Sequence, residues 1–254
     1  MVANCCSATD VDKRRDFRVN RGMKTIVTLS FSILFAALCS LPLAQKSEKH
    51  RQKFVLVGGG TIPDSVRKQF VNLAGGKDAH LVIIPSASEK ADYPLLYKGM
   101  WVEENVASID VLHAHSREEA GSPSFYDHIR YATGVWISGG DQARLIDLYG
   151  GTPVVRELRA LLQRGGVVGG TSAGASIVGK IMPYTDGEMT GFGLLDHFII
   201  DQHFKNRHRE ERLKRLVGHH PGMLGVGIDE STAIIIDDAT VTVLGEGTVN
   251  LIGG

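Results

Sequence analysis

Beyond residue 45 the chain contains no cysteine. All three, Cys5, Cys6 and Cys39, lie ahead of that point. The body therefore has no disulfide, no thiolate metal site and no cysteine nucleophile, and covalent catalysis there would fall to another side chain. The same absence suits a protein sent to an oxidising compartment. A charge of one sign is also missing. The 28 basic and 28 acidic residues cancel, and past residue 45 the balance is 22 basic against 25 acidic. Nothing here makes an electrostatic case for nucleic acid as a partner. There is no internal repeat and no long low-complexity tract, which excludes solenoids and extended disorder. Aromatics make up only 7% of the residues, but hydrophobic residues make up 43% of 254, enough to build one sizeable core.

One long uncharged run is present. Arg21 and Lys24 precede residues 25–45, whose apolar heart is 26–38 and whose end carries Pro42 and Ala44. Basic start, apolar centre and small-residue end make the layout of a signal peptide. The reading predicts a leader over 1–45, removed on export to the periplasm or the cell exterior, and a single domain over 46–254. Met23 is a natural start for that leader. A single membrane anchor is the alternative, but serines and Pro42 weaken the run as a span, so no stable membrane insertion is expected after processing. Cys39 invites comparison with a lipoprotein signal, but Leu38 is bulky for the residue before it.

From residue 53 apolar, β-rich runs alternate with helical patterns. Strands are predicted over 54–57, 80–85, 108–113, 135–138 and 167–169. Helices are predicted over 64–74, 94–105, 124–132, 142–149 and 153–163, with a capping-box pattern at Ser116-x-x-Glu119. This alternation implies a parallel sheet with helices on both faces. After a helix over 209–217, short strands over 225–228, 233–236, 241–244 and 249–252 predict antiparallel edge or flanking strands. In open α/β sheets ligands bind beyond the carboxyl ends of the strands. Four Gly-rich or polar segments fall there: 58–61, 85–89, 139–142 and 169–175. Gly58-Gly59-Gly60 suits a plain strand-to-helix turn. It lacks the spaced third glycine and later acid of a dinucleotide fingerprint, so no cofactor is expected.

Gly170-Thr171-Ser172-Ala173-Gly174 fits the G-x-S-x-G nucleophile elbow. A serine on a sharp strand-to-helix turn needs neighbours without a clashing Cβ, and the N–H of Ala173 then faces a developing oxyanion. The base expected for Ser172 is His203, delivered to a strand end by the β-branched run before it. Glu188 or Asp186, in a loop over 182–189, is expected to orient His203. No metal ligand set is expected.

Taken together, these residues resemble the cyanophycinase and aspartyl-dipeptidase (dipeptidase E) family of serine exopeptidases. Gly139-Gly140-Asp141-Gln142, the elbow, Asp201-Gln202-His203-Phe204, the spaced Arg207, Arg209 and Arg212, and Gly227-Ile228-Asp229-Glu230 carry the likeness. The resemblance implies a flavodoxin-like three-layer sandwich with a mostly parallel sheet and C-terminal antiparallel edge strands, related to class I glutamine amidotransferases, and a homodimer. It implies Ser172, His203 and Glu188 as the catalytic residues, Gly139, Gly140 and Ala173 as oxyanion donors, and Gln142, Asp201, Gln202, Arg207, Arg209 and Arg212 as substrate-binding residues. The implied substrate is a peptide containing aspartate, β-linked aspartyl-arginine included. Asp229 and Glu230 either meet a cationic side chain or simply end a strand. A non-hydrolytic binding protein on the same fold is the competing expectation.

Overall fold

Short runs of β-branched and aliphatic residues, several closed off by glycine, proline or a small polar residue, form most of the strands. The structure, a computed structural model, describes residues 52–90, 93–238 and 240–253, and for 93–97 the backbone only. The expected leader and its cleavage site lie outside the described residues.

The first half runs β1 (Lys53–Val57), α1 (Asp64–Leu73), β2 (His80–Ile84), α2 (Tyr93–Val102), β3 (Ser108–Val111), α3 (Arg117–Ala120), α4 (Pro123–Tyr131) and β4 (Gly134–Ile137). Then come α5 (Gln142–Tyr149), α6 (Pro153–Gln163), β5 (Val167–Thr171) and the short α7 (Ala173–Ser176). The second half holds β6 (Ile181–Tyr184), β7 (Gly187–Thr190), β8 (Phe198–Gln202), α8 (Glu210–His219), β9 (Leu224–Ile228), β10 (Thr232–Asp237), β11 (Thr240–Gly245) and β12 (Val249–Gly253).

Seven strands make the main sheet, in the order β11-β10-β1-β5-β4-β2-β3. The five from β1 to β3 pair in parallel, and β10 and β11 extend the sheet antiparallel beside β1. A second sheet, β12-β9-β8, pairs β8 parallel to β9 and β12 antiparallel to it. The molecule is thus an α/β sandwich with a mostly parallel central sheet and antiparallel edge strands.

Period-two alternation decides what each face buries. Phe54, Leu56, Val82, Ile84, Val135 and Ile137 point to the side of α4, α5, α6 and α7. Val55, Val57, Leu81, Ile83 and Trp136 point to the side of α1 and α2. Because both faces are covered, the inner parallel strands read as nearly continuous apolar runs. On the α1 side Phe70, Trp101 and Trp136 pack with ring centroids 5.0–5.2 Å apart. Gly169 makes room for them: a Cβ there would lie 2.7 Å from Cζ3 of Trp136. Local signals also act as read. Ser116 Oγ accepts the Glu119 N–H at 3.1 Å, while the Glu119 carboxylate takes the N–H of His115.

One local expectation changes. Residues 182–189, read as a loop, form the β6–β7 hairpin, whose tight turn places Thr185 at φ 45°. Neither strand carries a strong alternating pattern, and the turn lacks the Asn-Gly or Asp-Gly pair at its centre that would announce it. Among the described residues no helix is long and apolar enough to cross a membrane.

The aromatic cluster yields a stability expectation. Trp136→Ala removes a fully buried indole that packs against two other rings and should destabilise the fold by about 3–5 kcal/mol. Denaturant unfolding followed by circular dichroism measures this, and a loss within experimental error of zero would contradict the packing described.

Candidate active site

Ser172 is the residue between β5 and α7. Its backbone sits at φ 52°, ψ −114°, a conformation L-residues rarely hold. The flanking glycines are required by close approach. A Cβ on Gly170 would lie 2.5 Å from the carbonyl carbon of Gly174, and one on Gly174 would lie 2.6 Å from that of Ile137. The turn aims Ser172 Oγ out of the sheet at the carboxyl end of β5, where β1 and β4 also end.

β8 delivers the partner. Ser176 Oγ donates to the Ile200 carbonyl at 2.9 Å, docking β8 on the elbow helix. One residue past the strand, His203 adopts φ 50°. Its Nε2 lies 2.9 Å from Ser172 Oγ, and its Nδ1 lies 2.5 Å from Oε1 of Glu230. Glu230 comes just after β9, the strand paired with β8. Serine, imidazole and carboxylate thus form one hydrogen-bonded line.

The expected placement of Glu188 in that line is corrected. Its carboxylate bonds His220 Nε2, at 2.8 and 2.9 Å. Asp186, the other carboxylate weighed, sits at the hairpin turn, where its carbonyl accepts from Arg215 at 3.4 Å. The hairpin keeps both acids against α8 and away from Nδ1. The chain order is therefore serine, histidine, acid. Glu230 had a signal in the sequence, since it follows a β-rich run ending beside the one that ends at His203, but only the pairing of β8 with β9 makes the two neighbours.

The other expected residues surround Ser172. Gly139 borders it, for a Cβ there would sit 3.2 Å from Ser172 Cβ. Gly140, at φ 146°, passes against Ala87, where a Cβ would fall 2.6 Å from the carbonyl carbon. Ala173 opens α7, and its N–H is one of the amides that a helix leaves unpaired at its start. Gln202 and Gln142 make an amide chain: Ser172 Oγ reaches Gln202 Oε1 at 3.4 Å, Gln202 Nε2 reaches Gln142 Oε1 at 3.5 Å, and Gln142 Nε2 donates to the Pro183 carbonyl at 3.0 Å.

Asp201 is fully buried and holds two of the three arginines. Arg209 Nη1 donates to it at 3.2 Å, and Arg212 grips it through Nε at 3.0 Å and through Nη2. Arg207 is exposed and has no side-chain hydrogen bond or ion pair among the described residues. These arginines, with Arg215, Tyr184 and Asp186, line a cleft of about 590 Å³ that runs from Gly140 and Gln142.

Burial pushes the His203 imidazole below its ordinary value; the hydrogen bond it donates to Glu230 pulls it up, and the nearby Arg207 charge pushes it down again. Burial, the largest of these influences, favours the neutral form of the ring.

The class this defines is an α/β sandwich with a serine on a strand-to-helix elbow, hydrogen-bonded to a histidine and through it to a carboxylate. Residues 54–244 match the model of Peptidase family S51, and the chain belongs to that family. A cyanophycinase of Synechococcus elongatus is 35% identical over 210 residues, covering 75% of this chain and 65% of that protein. A cyanophycinase of Geminocystis herdmanii (strain PCC 6308) is 34% identical over 209 residues, 74% of this chain and 75% of that one. The chain thus spans about 65% of the length of the Synechococcus relative. The crystal structure of a peptidase from an acI-B1 Actinobacterium shares the fold, with a TM-score of 0.69 at 24% identity over 81% of this chain and 92% of that one.

Followed by NMR, the His203 ring should titrate below its ordinary value of 6.5. Glu230→Gln removes the upward pull and should lower it further. Arg207→Gln removes a downward push and should raise it. Glu188→Gln should leave it where it was. A His203 titrating at or above 6.5, or responding to Glu188 rather than Glu230, contradicts this geometry.

Proposed function

We propose that the chain is a serine exopeptidase in which Ser172 is the nucleophile, His203 the general base and Glu230 the orienting acid. The observation that carries this is the unbroken line from Ser172 Oγ through His203 Nε2 and Nδ1 to Glu230. In the proposed reaction Ser172 Oγ attacks the scissile carbonyl while its proton passes to Nε2. His203 then returns that proton to the departing amine, and Glu230 holds the imidazolium in place. The N–H groups of Ala173 and of the Gly139-Gly140 turn stabilise the oxyanion. Water repeats the sequence to release the acyl product.

The proposed substrates are acidic peptides containing aspartate, β-linked aspartyl-arginine among them. The arginine-lined cleft and the similarity to cyanophycinases support this. Arg209 and Arg212 are already engaged by Asp201, so Arg207 is the donor left open to a substrate carboxylate. Export through a leader over 1–45 is part of the proposal, as is the homodimer that the family resemblance implies. N-terminal sequencing of protein from native cells should find a terminus just after 42–44, and an intact Met1 or Met23 terminus would overturn the export proposal.

Ser172→Ala should keep the fold and lose about 10⁴-fold or more in turnover. Glu230→Gln should lose about a hundredfold or more, and Glu188→Gln should stay near wild type. Aspartyl peptides should exceed their asparaginyl counterparts by about ten- to a hundredfold in kcat/KM, the worth of one charge-assisted contact at about 1.5–3 kcal/mol, and Arg207→Gln should narrow that gap. Near-wild-type turnover by a folded Ser172→Ala would overturn the mechanism. Equal cleavage of both peptides would overturn the substrate proposal alone.

A further inference from the structure

Three consecutive carbonyls at the end of β1 touch all three parts of the site. The Val57 carbonyl accepts the backbone N–H of Ser172 at 2.9 Å. The Gly58 carbonyl accepts that of His203 at 2.6 Å. The Gly59 carbonyl accepts that of Ser231, the neighbour of Glu230, at 2.8 Å. The N–H of Gly58 donates in turn to Thr232 at 3.0 Å. Nucleophile, base and acid come from chain segments around β5, β8 and β9, yet their backbones are spaced by successive residues of one tripeptide.

Side-chain space tells the same story. Gly59 has φ 114°, and a Cβ there would overlap Cε1 and Nε2 of the His203 ring and lie 2.8 Å from Nδ1. A Cβ on Gly58 would lie 2.6 Å from the carbonyl carbon of Ile228, in the strand that leads to Glu230. A plain strand-to-helix turn requires glycine for its backbone angles. It does not require one whose missing side chain is replaced by an imidazole. His203 needs such a support, because its own backbone stands at φ 50° and β8 has already ended.

We propose that Gly59 is a positioning residue: its bare Cα is the surface on which the His203 ring seats, and the carbonyls of residues 57–59 set the spacing of nucleophile, base and acid. This rests on the reading of His203 as the base.

A double-mutant cycle in thermal midpoint tests it, with Gly59→Ala and His203→Ala made singly and together in the full chain. Gly75→Ala is the control, because Gly75 has φ 115° but nothing nearer than 3.8 Å to an added Cβ. Both alanines carry backbone strain, but only the one at 59 meets the ring. Gly59→Ala should lower the midpoint clearly more when His203 is present than when it is alanine, whereas Gly75→Ala should lower it equally in both backgrounds. Folding of Gly59→Ala only in the His203→Ala background would support the proposal equally. Where Gly59→Ala folds alone, kcat should fall about a hundredfold or more with little change in KM, and Gly75→Ala should keep its kcat. Equal midpoint losses in both backgrounds, failure to fold in both, or an unchanged kcat would overturn the proposal. Failure of the serine mechanism would look different: Ser172→Ala would retain turnover while the coupling between residues 59 and 203 persisted.

Discussion

The sharp turn at Ser172 is the constraint on which the site depends. An L-residue at φ 52° and ψ −114° costs of order 1–3 kcal/mol, and it persists only where its surroundings leave the backbone no alternative. Here they do so from three sides. Gly170 and Gly174 let β5, α7 and the end of β4 approach within distances no side chain would permit. The Ser172 N–H is bound to Val57, and its carbonyl takes the N–H groups of Ala175 and Ser176. From there the rest follows mechanically. Ser176 docks β8, His203 follows the end of β8, and Glu230 comes two residues after β9, the strand paired to β8. The second sheet is thereby fastened to the first at the point where the chemistry is proposed to occur.

The opposite wall of the cleft is held by charge. Asp201 is removed from water entirely and is engaged by two guanidinium groups. A buried ion pair of this kind adds little net stability against an apolar alternative, but breaking one side of it leaves a charge stranded. What it does supply is position. Arg212 also donates to the Thr185 carbonyl, Arg215 reaches that of Asp186, and Glu188 pairs with His220, so the β6–β7 hairpin is stapled along α8. The exposed members of this set are individually weak. Together they define one edge of the cleft, and among the described residues Arg207 is an arginine of that cleft with no hydrogen-bond or ion-pair partner.

Much of this was legible in the residues. The inner parallel strands announced themselves as largely apolar runs, because both faces of the sheet are covered there. The elbow announced itself through glycines that only a close backbone approach demands. His203 was legible because a β-branched run delivers it to a strand end, as β5 delivers Ser172. The acid was not. Glu188 and Asp186 lie between serine and histidine in sequence, and nothing local says that the segment carrying them folds into a hairpin against α8. Glu230 becomes a neighbour of His203 only through the parallel pairing of β8 with β9, a contact between distant stretches that periodicity does not encode. The same limit applied to the arginines. The resemblance marked all three as substrate-binding, but it took the burial of Asp201 to separate the two that brace the wall from the one left open. Gly58-Gly59-Gly60 read as a turn, and it is one. That His203 fills the space beside Gly59 depends again on long-range packing.

The central claim is that Ser172 is an activated nucleophile, and covalent labelling tests it most directly. The protein is treated with a fluorophosphonate, digested, and the adduct located by mass spectrometry. The account predicts a single adduct on the peptide containing Ser172, lost in His203→Ala and strongly slowed in Glu230→Gln. No adduct on the folded wild-type protein, or one on another residue, would contradict it.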